Sequence, residues 1–180
     1  MPSPIGHAAA GILFLIFRRK LRKGKELLAH WREGLLFVFL SCLPDIDLYN
    51  PYTGKLDLNS PFHHLYTHSF SFAFLAGFFV LLIHWLFKKN WNWKLGIWAA
   101  LVVISHVLLD LLFSNHGLRL QLFWPFSERV ISSPIHFYYR WDQGNVLSSV
   151  NLIQFVAEAV VSWGLIYGLL RINSRVGTIR

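Results

Sequence analysis

Apolar runs alternate with short polar segments along the whole chain, and the lengths of the runs predict membrane-spanning helices. Three runs, at residues 70–87, 95–113 and 150–170, match the ~20 apolar residues that a helix needs to cross the hydrocarbon core of a bilayer. Two shorter runs, at 5–17 and 34–43, are expected to form helices that cross only if polar flanks extend them. The pattern predicts an all-α, polytopic membrane helical bundle of about five helices, at least three of them spanning.

Lys and Arg residues collect in alternate segments between the apolar runs. Thirteen of the 17 lie in segment 18–32, in segment 88–94 or in the tail from residue 171. By the positive-inside rule these segments are cytoplasmic, so the long segments 48–69 and 114–146 are expected outside the cytoplasm. Five helices then place the N-terminus on the extracytoplasmic side and the C-terminus in the cytoplasm.

The composition supports a membrane protein and excludes several other classes. Hydrophobic residues make up 54% of the 180 and charged residues 14%, against ~25% charged in soluble domains. The cytoplasmic segments account for the net charge of +8, so no nucleic acid partner is expected. Cys42 is the single cysteine, which excludes a disulfide framework and a cysteine-based zinc site within the chain. Without repeats or long linkers, residues 1–180 are expected to form one membrane-embedded domain.

Side chains that bind metal ions occur near the ends of the apolar runs that lie opposite the basic segments. His106 and Asp110 are four residues apart in SHVLLDLLF, so they share one face of a helix and can bind one ion. An ionisable pair inside a spanning helix is costly and indicates function, although a hydrogen-bonded pair that packs helices is the alternative. Seven such side chains gather at this end: His7, Asp45, Asp47, His63, His68, His106 and Asp110.

Two further motifs supply ligands from turns. Asp45 and Asp47 in LPDID directly follow an apolar run, and the proline before them favours a turn. PFHHLYTHS offers either His64 with His68 at helical spacing or His63 with His68 at a wider spacing, and helical geometry favours the first pair. Each motif alone also fits a helix cap or a solvated loop. Thr67 and Ser69 are candidates for orienting the imidazoles, and additional candidate ligands are His116, His136, Asp142, Glu128 and Glu158.

Imidazole and carboxylate ligands without a thiolate suit Zn²⁺ best, and Mn²⁺ and Fe²⁺ accept the same ligands. The set exceeds what one tetrahedral ion needs, so two or three ions bridged by a carboxylate are expected. Such a centre activates water for attack on a phosphoryl or ester group. The sequence therefore predicts a metal site at the extracytoplasmic end of the bundle.

Five motifs in order resemble the YdjM-type family of inner-membrane metal-dependent hydrolases. They are GH near the start, PDxD, H-x4-H-S, H-x3-D in an apolar helix and PFS, and they cover roughly residues 7–127. This family is in turn similar to zinc-dependent phospholipase C and the related fungal nucleases, which are all-helical enzymes with a three-zinc cluster that hydrolyse phosphoesters. The resemblance implies a multi-pass protein of the inner (cytoplasmic) membrane.

The resemblance to these enzymes also implies roles for individual residues. It favours His63 over His64, against the helical-spacing argument. It departs at three points: those enzymes lack spanning helices, they use a processed N-terminal amine as a ligand, and their later H-x3-E pair has no match after His116. The implied metal ligands are His7 from the first helix, Asp45 or Asp47 after the second, then His63, His68, His106, Asp110 and His116.

These features together predict a membrane-bound metal-dependent hydrolase that acts on a phosphoester of a lipid or lipid-linked substrate at the outer face of the membrane. Asp45 or Asp47 is the candidate general base. The alternative is a non-enzymatic metal-binding or metal-transport membrane protein. Transport needs ligands along a path through the bilayer, and only His84 and Glu158 extend the set in that direction.

Overall fold

The computed structural model describes residues 3–50, 55–56, 66–113, 119–132 and 148–176. A 3₁₀ helix, Leu43–Leu48, and two antiparallel pairs of two-residue strands connect the helices: β1 (Tyr49–Asn50) with β2 (Lys55–Leu56), and β3 (Arg119–Leu120) with β4 (Ile131–Ser132). Six α-helices lie in the described residues: α1 (Pro4–Arg19), α2 (Gly24–Ala29), α3 (Trp31–Cys42), α4 (Phe70–Lys88), α5 (Trp93–Phe113) and α6 (Ser149–Val176).

Three of these helices, α4, α5 and α6, are long and apolar enough to cross a membrane. The prediction of an all-α membrane bundle with at least three spanning helices is confirmed. Helix α1 has 16 residues and α3 has 12, so they extend about 24 Å and 18 Å against a hydrocarbon core of about 30 Å. The helix that the apolar pattern did not predict is α2, whose six residues lie within the basic segment and bury no side chain.

Local sequence sets the ends of the helices at which the candidate ligands lie. Ser3 caps α1 by accepting a hydrogen bond from the Ile5 amide, and Pro4 occupies the first helical position, where its missing N–H is not needed. Ser69 caps α4 in the same way by accepting from the Phe72 amide at 3.1 Å. The chain therefore enters both helices at defined points beside His7 and His68.

Two glycines allow the helices to approach closely. A Cβ atom at Gly11 of α1 would lie 2.6 Å from the carbonyl oxygen of Phe37 in α3, and one at Gly77 of α4 would lie 2.6 Å from the carbonyl oxygen of Gly96 in α5. Real Cβ atoms do not approach backbone oxygens this closely. Small residues at these crossings permit the close backbone contact typical of helix pairs in membranes.

The core lies between α1, α3, α5 and the inner face of α4, whereas the outer faces of α4 and α6 are apolar and exposed. Ile16, Phe37 and Val102 are fully buried in this core. Phe78 of α4 and Val160 of α6 are more than half exposed, as expected for side chains that contact lipid.

Hydrogen bonds between distant residues define the two ends of the bundle. At one end, Glu158 in the third turn of α6 accepts hydrogen bonds from the backbone amide of Ser3 at the start of α1. At the other end, the Asn173 side chain donates to the Leu21 carbonyl at 2.9 Å, which ties the last turns of α6 to the segment after α1. We name the end with Ser3 and Glu158 the site end. The end with Leu21 and Asn173, where the Lys and Arg residues collect, is the basic end.

Candidate metal centre

Four side chains from three separate parts of the chain converge at the site end. Asp45 comes from the 3₁₀ helix, His68 from the turn before α4, and His106 and Asp110 from the last turns of α5. One ligand atom from each lies within 4.8 Å of all the others, and this group could hold a metal ion. His68, His106 and Asp110 are fully buried, whereas the Asp45 side chain is 13% exposed. Asp45 is therefore the member of the group with an exposed part, although its Oδ1 atom, which faces the histidines, is buried.

The spacing of these atoms matches the ligand shell of a tetrahedral ion. The Nε2 atoms of His68 and His106 lie 3.1 Å apart, and Asp110 Oδ2 lies 3.2 Å and 3.1 Å from them. Asp45 Oδ1 lies 3.7 Å from the first nitrogen and 3.4 Å from the second. A tetrahedral zinc ion with bonds of ~2.1 Å holds its ligands about 3.4 Å apart. The two carboxylates approach the same two imidazole nitrogens, so positive charge at this point, from a metal ion or from protonated imidazoles, stabilises the group.

A backbone carbonyl fixes the orientation of His106. The Ser41 oxygen, in the last turn of α3, accepts a hydrogen bond from His106 Nδ1 at 2.7 Å. Because a carbonyl can only accept, Nδ1 carries a proton, and Nε2 is the ring nitrogen that faces Asp45, His68 and Asp110. Protein metal sites commonly orient a ligand imidazole by a hydrogen bond of this kind at the nitrogen that does not bind the ion.

Asp47 and Thr67 orient His68 from the opposite side of its ring. Asp47 Oδ2 lies 3.3 Å from His68 Nδ1 and accepts a hydrogen bond from the Thr67 hydroxyl at 2.5 Å. Burial lowers the pKa of the His68 imidazole, but the hydrogen bonds to Asp110 and Asp47 outweigh this effect, so the pKa is raised above its ordinary value. The surrounding carboxylates thus favour a positive charge here, which a proton or a metal ion can supply.

His7 adjoins the group but faces a different oxygen of Asp110. Its ring stacks on His106 with centroids 3.7 Å apart, and its Nε2 lies 3.5 Å from Asp110 Oδ1. Among the described residues, Asp110 Oδ1, Asp110 Oδ2 and Asp45 Oδ1 are buried and are approached by imidazole nitrogens at 3.1–3.7 Å, and both His7 ring nitrogens are buried without a hydrogen bond of ordinary geometry. Buried polar atoms of this kind are normally satisfied, so their concentration at one point fits a site for cations.

The remaining residues predicted for the site are placed as follows. Asp47 contacts the outer ring nitrogen of His68 rather than the side that faces the other three ligands. Glu128 is exposed, and Glu158 is buried against Ser3. His68 lies two residues before α4 begins, so helical spacing does not decide its partner. Five predicted or candidate residues lie outside the described residues: His63, His64, His116, His136 and Asp142.

Sequence reasoning did not find the Ser41 carbonyl, because a backbone acceptor carries no side-chain signal. Thr67 was predicted to orient an imidazole, and it contacts both Asp47 and His68 Nδ1, the latter at 3.2 Å. Ser69 was a candidate for the same role. Its hydroxyl instead donates to the Tyr66 carbonyl at 2.8 Å and caps α4.

Comparison with known proteins assigns the family. The sequence model of the YdjM inner membrane protein family matches residues 1–176. The chain belongs to this family. No curated protein and no solved structure matches it. For a YdjM inner membrane protein, the three long apolar helices are membrane spans, and the group of Asp45, His68, His106 and Asp110 lies at one end of the spanning bundle.

Proposed function

We propose that this member of the YdjM family is a membrane-bound metal-dependent hydrolase that forms one domain over residues 1–180. The observation that carries the proposal is the convergence of Asp45, His68, His106 and Asp110 at the spacing of a tetrahedral ligand shell. Hydrogen-bonded polar pairs that only pack helices do not need two carboxylates and two imidazole nitrogens at one point. Zn²⁺ fits this donor set best, and Mn²⁺ and Fe²⁺ fit it as well.

A second ion is proposed between His7 and the other oxygen of Asp110. Asp110 presents Oδ2 to His68 and His106 and Oδ1 to His7, which is the arrangement of a bridging carboxylate. His63 and His116, which lie outside the described residues, are proposed as further ligands. When bound, such ions polarise a phosphoryl oxygen and make water a nucleophile at neutral pH.

The chain's own residues would prepare the site for hydrolysis. Asp45 is the ligand carboxylate with solvent exposure, so we assign to it the role of accepting the proton from the attacking water. Asp47 was the other candidate base, but its contacts to Thr67 and His68 favour a role in holding the imidazole. Full burial of His106 and Asp110 keeps bulk water away from the inner part of the centre.

A lipid or lipid-linked phosphoester is the proposed substrate, because aromatic side chains cluster just before α4 and in segment 122–126, which the Phe70 amide joins by donating to the Leu122 carbonyl at 2.9 Å. Trp124 packs on Tyr66 with centroids 4.8 Å apart, and Phe123 packs on Phe70 at 5.7 Å. Phe126, in the same turn, is 89% exposed. Aromatic residues concentrate where the bilayer meets water, so this aromatic rim (Tyr66, Phe123, Trp124 and Phe126) suits a site at the level of the phosphate groups.

The proposed orientation puts the site end outside the cytoplasm. Lys88 and Lys89 end α4, Lys94 begins α5, and Arg175 lies in the last turn of α6, all at the basic end. Basic residues at helix ends favour the cytoplasmic side. The N-terminus and the metal centre would then face outward, with the C-terminus inside.

The proposal is tested by elemental analysis and activity measurements on the purified full-length protein. Wild type is expected to contain zinc and to hydrolyse a phosphodiester, whereas Asp110→Asn and His68→Ala are expected to lose both. His84→Ala is the matched control, since His84 contacts Asn90 about 21 Å along α4 from its start. Full metal occupancy in both site variants would overturn the site assignment.

The placement of the ligands argues against metal transport. Glu158 is engaged by Ser3, and His84 lies at the opposite end of α4. Among the residues that the structure describes, the ligand group lies at one end of the bundle rather than along a path through it. Uptake of zinc into sealed vesicles would favour transport over hydrolysis.

A further inference from the structure

Glu158 is a buried carboxylate within the apolar helix α6, and the proposed hydrolysis does not use it. Its side chain is 3% exposed. An ionisable group at this position in a spanning helix is costly to insert and indicates a specific role. Its contacts are to Ser3 and Gln154, and it is not a member of the metal-binding group.

The contacts of Glu158 hold the first turn of α1. The Ser3 amide donates to Oε1 at 3.0 Å and to Oε2 at 2.9 Å, and the Ser3 hydroxyl donates to Oε2 at 2.5 Å. The same hydroxyl accepts from the Ile5 amide at 3.2 Å, and the Gln154 amide donates to Oε1 at 3.1 Å. An ionised carboxylate can only accept, so its two oxygens match this set of donors.

His7 lies one helical turn beyond this contact. Its amide donates to the Ser3 carbonyl at 3.3 Å, so the position of Ser3 sets the position of His7. The His7 ring nitrogens have no hydrogen-bond partner in the described structure. The helix backbone and the stacking on His106 therefore place the imidazole. Helix ends fray unless they are held, and His7 is in the first turn.

We infer that Glu158 is a positioning residue that anchors Ser3 to α6 and so holds His7 against Asp110. This inference rests on the proposed metal centre for its functional meaning. The anchoring itself is a property of the metal-free fold. The anchoring and the metal centre can therefore be disproved independently, and the experiment tests each of them in a separate arm.

The first arm measures the accessibility of position 7 without metal. In a Cys42→Ala background, the thiol introduced by His7→Cys is reacted with a small maleimide on purified full-length protein in detergent micelles. Glu158→Ala is expected to raise the rate by at least about tenfold, because the charged hydrogen bonds that close the first turn are lost. Ser3→Ala, which removes only the hydroxyl, is expected to raise it less.

Val160→Ala is the matched control on the exposed face of α6 and is expected to leave this rate unchanged. Helix content and melting temperature are recorded for each variant, so that global unfolding is recognised. If Glu158→Ala fails to fold, the rate in Glu158→Gln decides the result, because this variant keeps the shape of the side chain and the Ser3 cap but loses the charge and one acceptor oxygen. An unchanged rate in the folded variants overturns the inference.

The second arm is a double-mutant cycle on zinc affinity. His7→Ala and Glu158→Ala are each expected to weaken the affinity for the ion proposed between His7 and Asp110 by about 10- to 100-fold. If Glu158 acts through His7, the double variant is expected to bind zinc no more weakly than His7→Ala alone. Additive losses would show that Glu158 supports the site by another route. Absence of zinc from the wild-type protein would contradict the proposed function. The maleimide rates would still show whether Glu158 anchors Ser3.

Discussion

Asp110 Oδ2 lies 3.1 Å from His106 Nε2, one turn earlier on α5, while Asp110 Oδ1 faces His7 on α1. One buried carboxylate thus joins two groups of ligands that belong to different helices. The H-x3-D spacing produces the first contact, because residues four apart share a helix face. The second contact depends on how α1 packs against α5, and it determines whether the centre holds one ion or more.

Variants of His7 and Asp110 should differ in the number of ions that they bind. His7→Ala is expected to lose one bound ion and to keep the ion at Asp45, His68, His106 and Asp110. Asp110→Asn is expected to lose both, because it removes the carboxylate between them. Zinc content per protein, measured after dialysis, distinguishes the two variants. Equal zinc content in both variants would contradict the bridging role of Asp110.

Asp47 should increase the zinc affinity of the centre without being one of its ligands. Asp47→Ala removes the acceptor that holds His68 Nδ1, and zinc affinity is expected to fall about 10- to 100-fold with the stoichiometry unchanged at saturation. Thr67→Val, which removes the hydroxyl that donates to Asp47, is expected to cause a smaller loss. Competitive titration against a chelator measures both affinities. Loss of an ion at saturating zinc in Asp47→Ala would instead make Asp47 a ligand.

The crossing of α4 and α5 should not tolerate a methyl group at Gly77. Gly77→Ala places a Cβ atom against the Gly96 carbonyl, and we expect it to lower the free energy of unfolding by about 1–3 kcal/mol. Gly164→Ala is the matched control, because nothing lies within 4 Å of a Cβ atom at that position of α6. Denaturant unfolding in micelles compares them. A Gly77→Ala protein as stable as Gly164→Ala would contradict the close packing of α4 on α5.

The orientation of the bundle can be tested with single cysteines in the Cys42→Ala background. Glu128→Cys lies in the exposed turn at the site end, and Lys23→Cys lies in the basic segment. In cells whose outer membrane is permeabilised and whose inner membrane is intact, a membrane-impermeant maleimide is expected to label the cysteine at position 128. The cysteine at position 23 is expected to react only after the inner membrane is opened. The reverse pattern would place the metal centre in the cytoplasm.

The sequence predicted the elements of this fold better than their contacts. Runs of apolar residues predicted the three spans, and the alternation of basic and ligand-bearing ends predicted that His68 and His106 would lie at one end. Periodicity could not predict α2, because six residues are too few to show a helical repeat and Leu27, which packs against the core, stands beside the exposed Leu28. Periodicity also could not show whether Asp45 or Asp47 faces the other ligands. The two side chains leave the 3₁₀ helix in different directions, and only the packing against His68 shows which one faces the centre.

Activity on membranes should depend on the aromatic rim. Phe126→Ser removes its most exposed side chain and is expected to reduce hydrolysis of a phospholipid in vesicles several-fold, because the rim then holds the site less firmly at the interface. Hydrolysis of a water-soluble phosphodiester should be unchanged, since Phe126 is not a ligand. Phe87→Ser, at the basic end of α4 and 81% exposed, is the matched control for loss of an exposed aromatic residue. An equal loss of hydrolysis on both substrates would mean that Phe126 supports the metal centre itself. An equal loss of phospholipid hydrolysis in Phe87→Ser would mean that any exposed aromatic residue contributes through membrane anchoring.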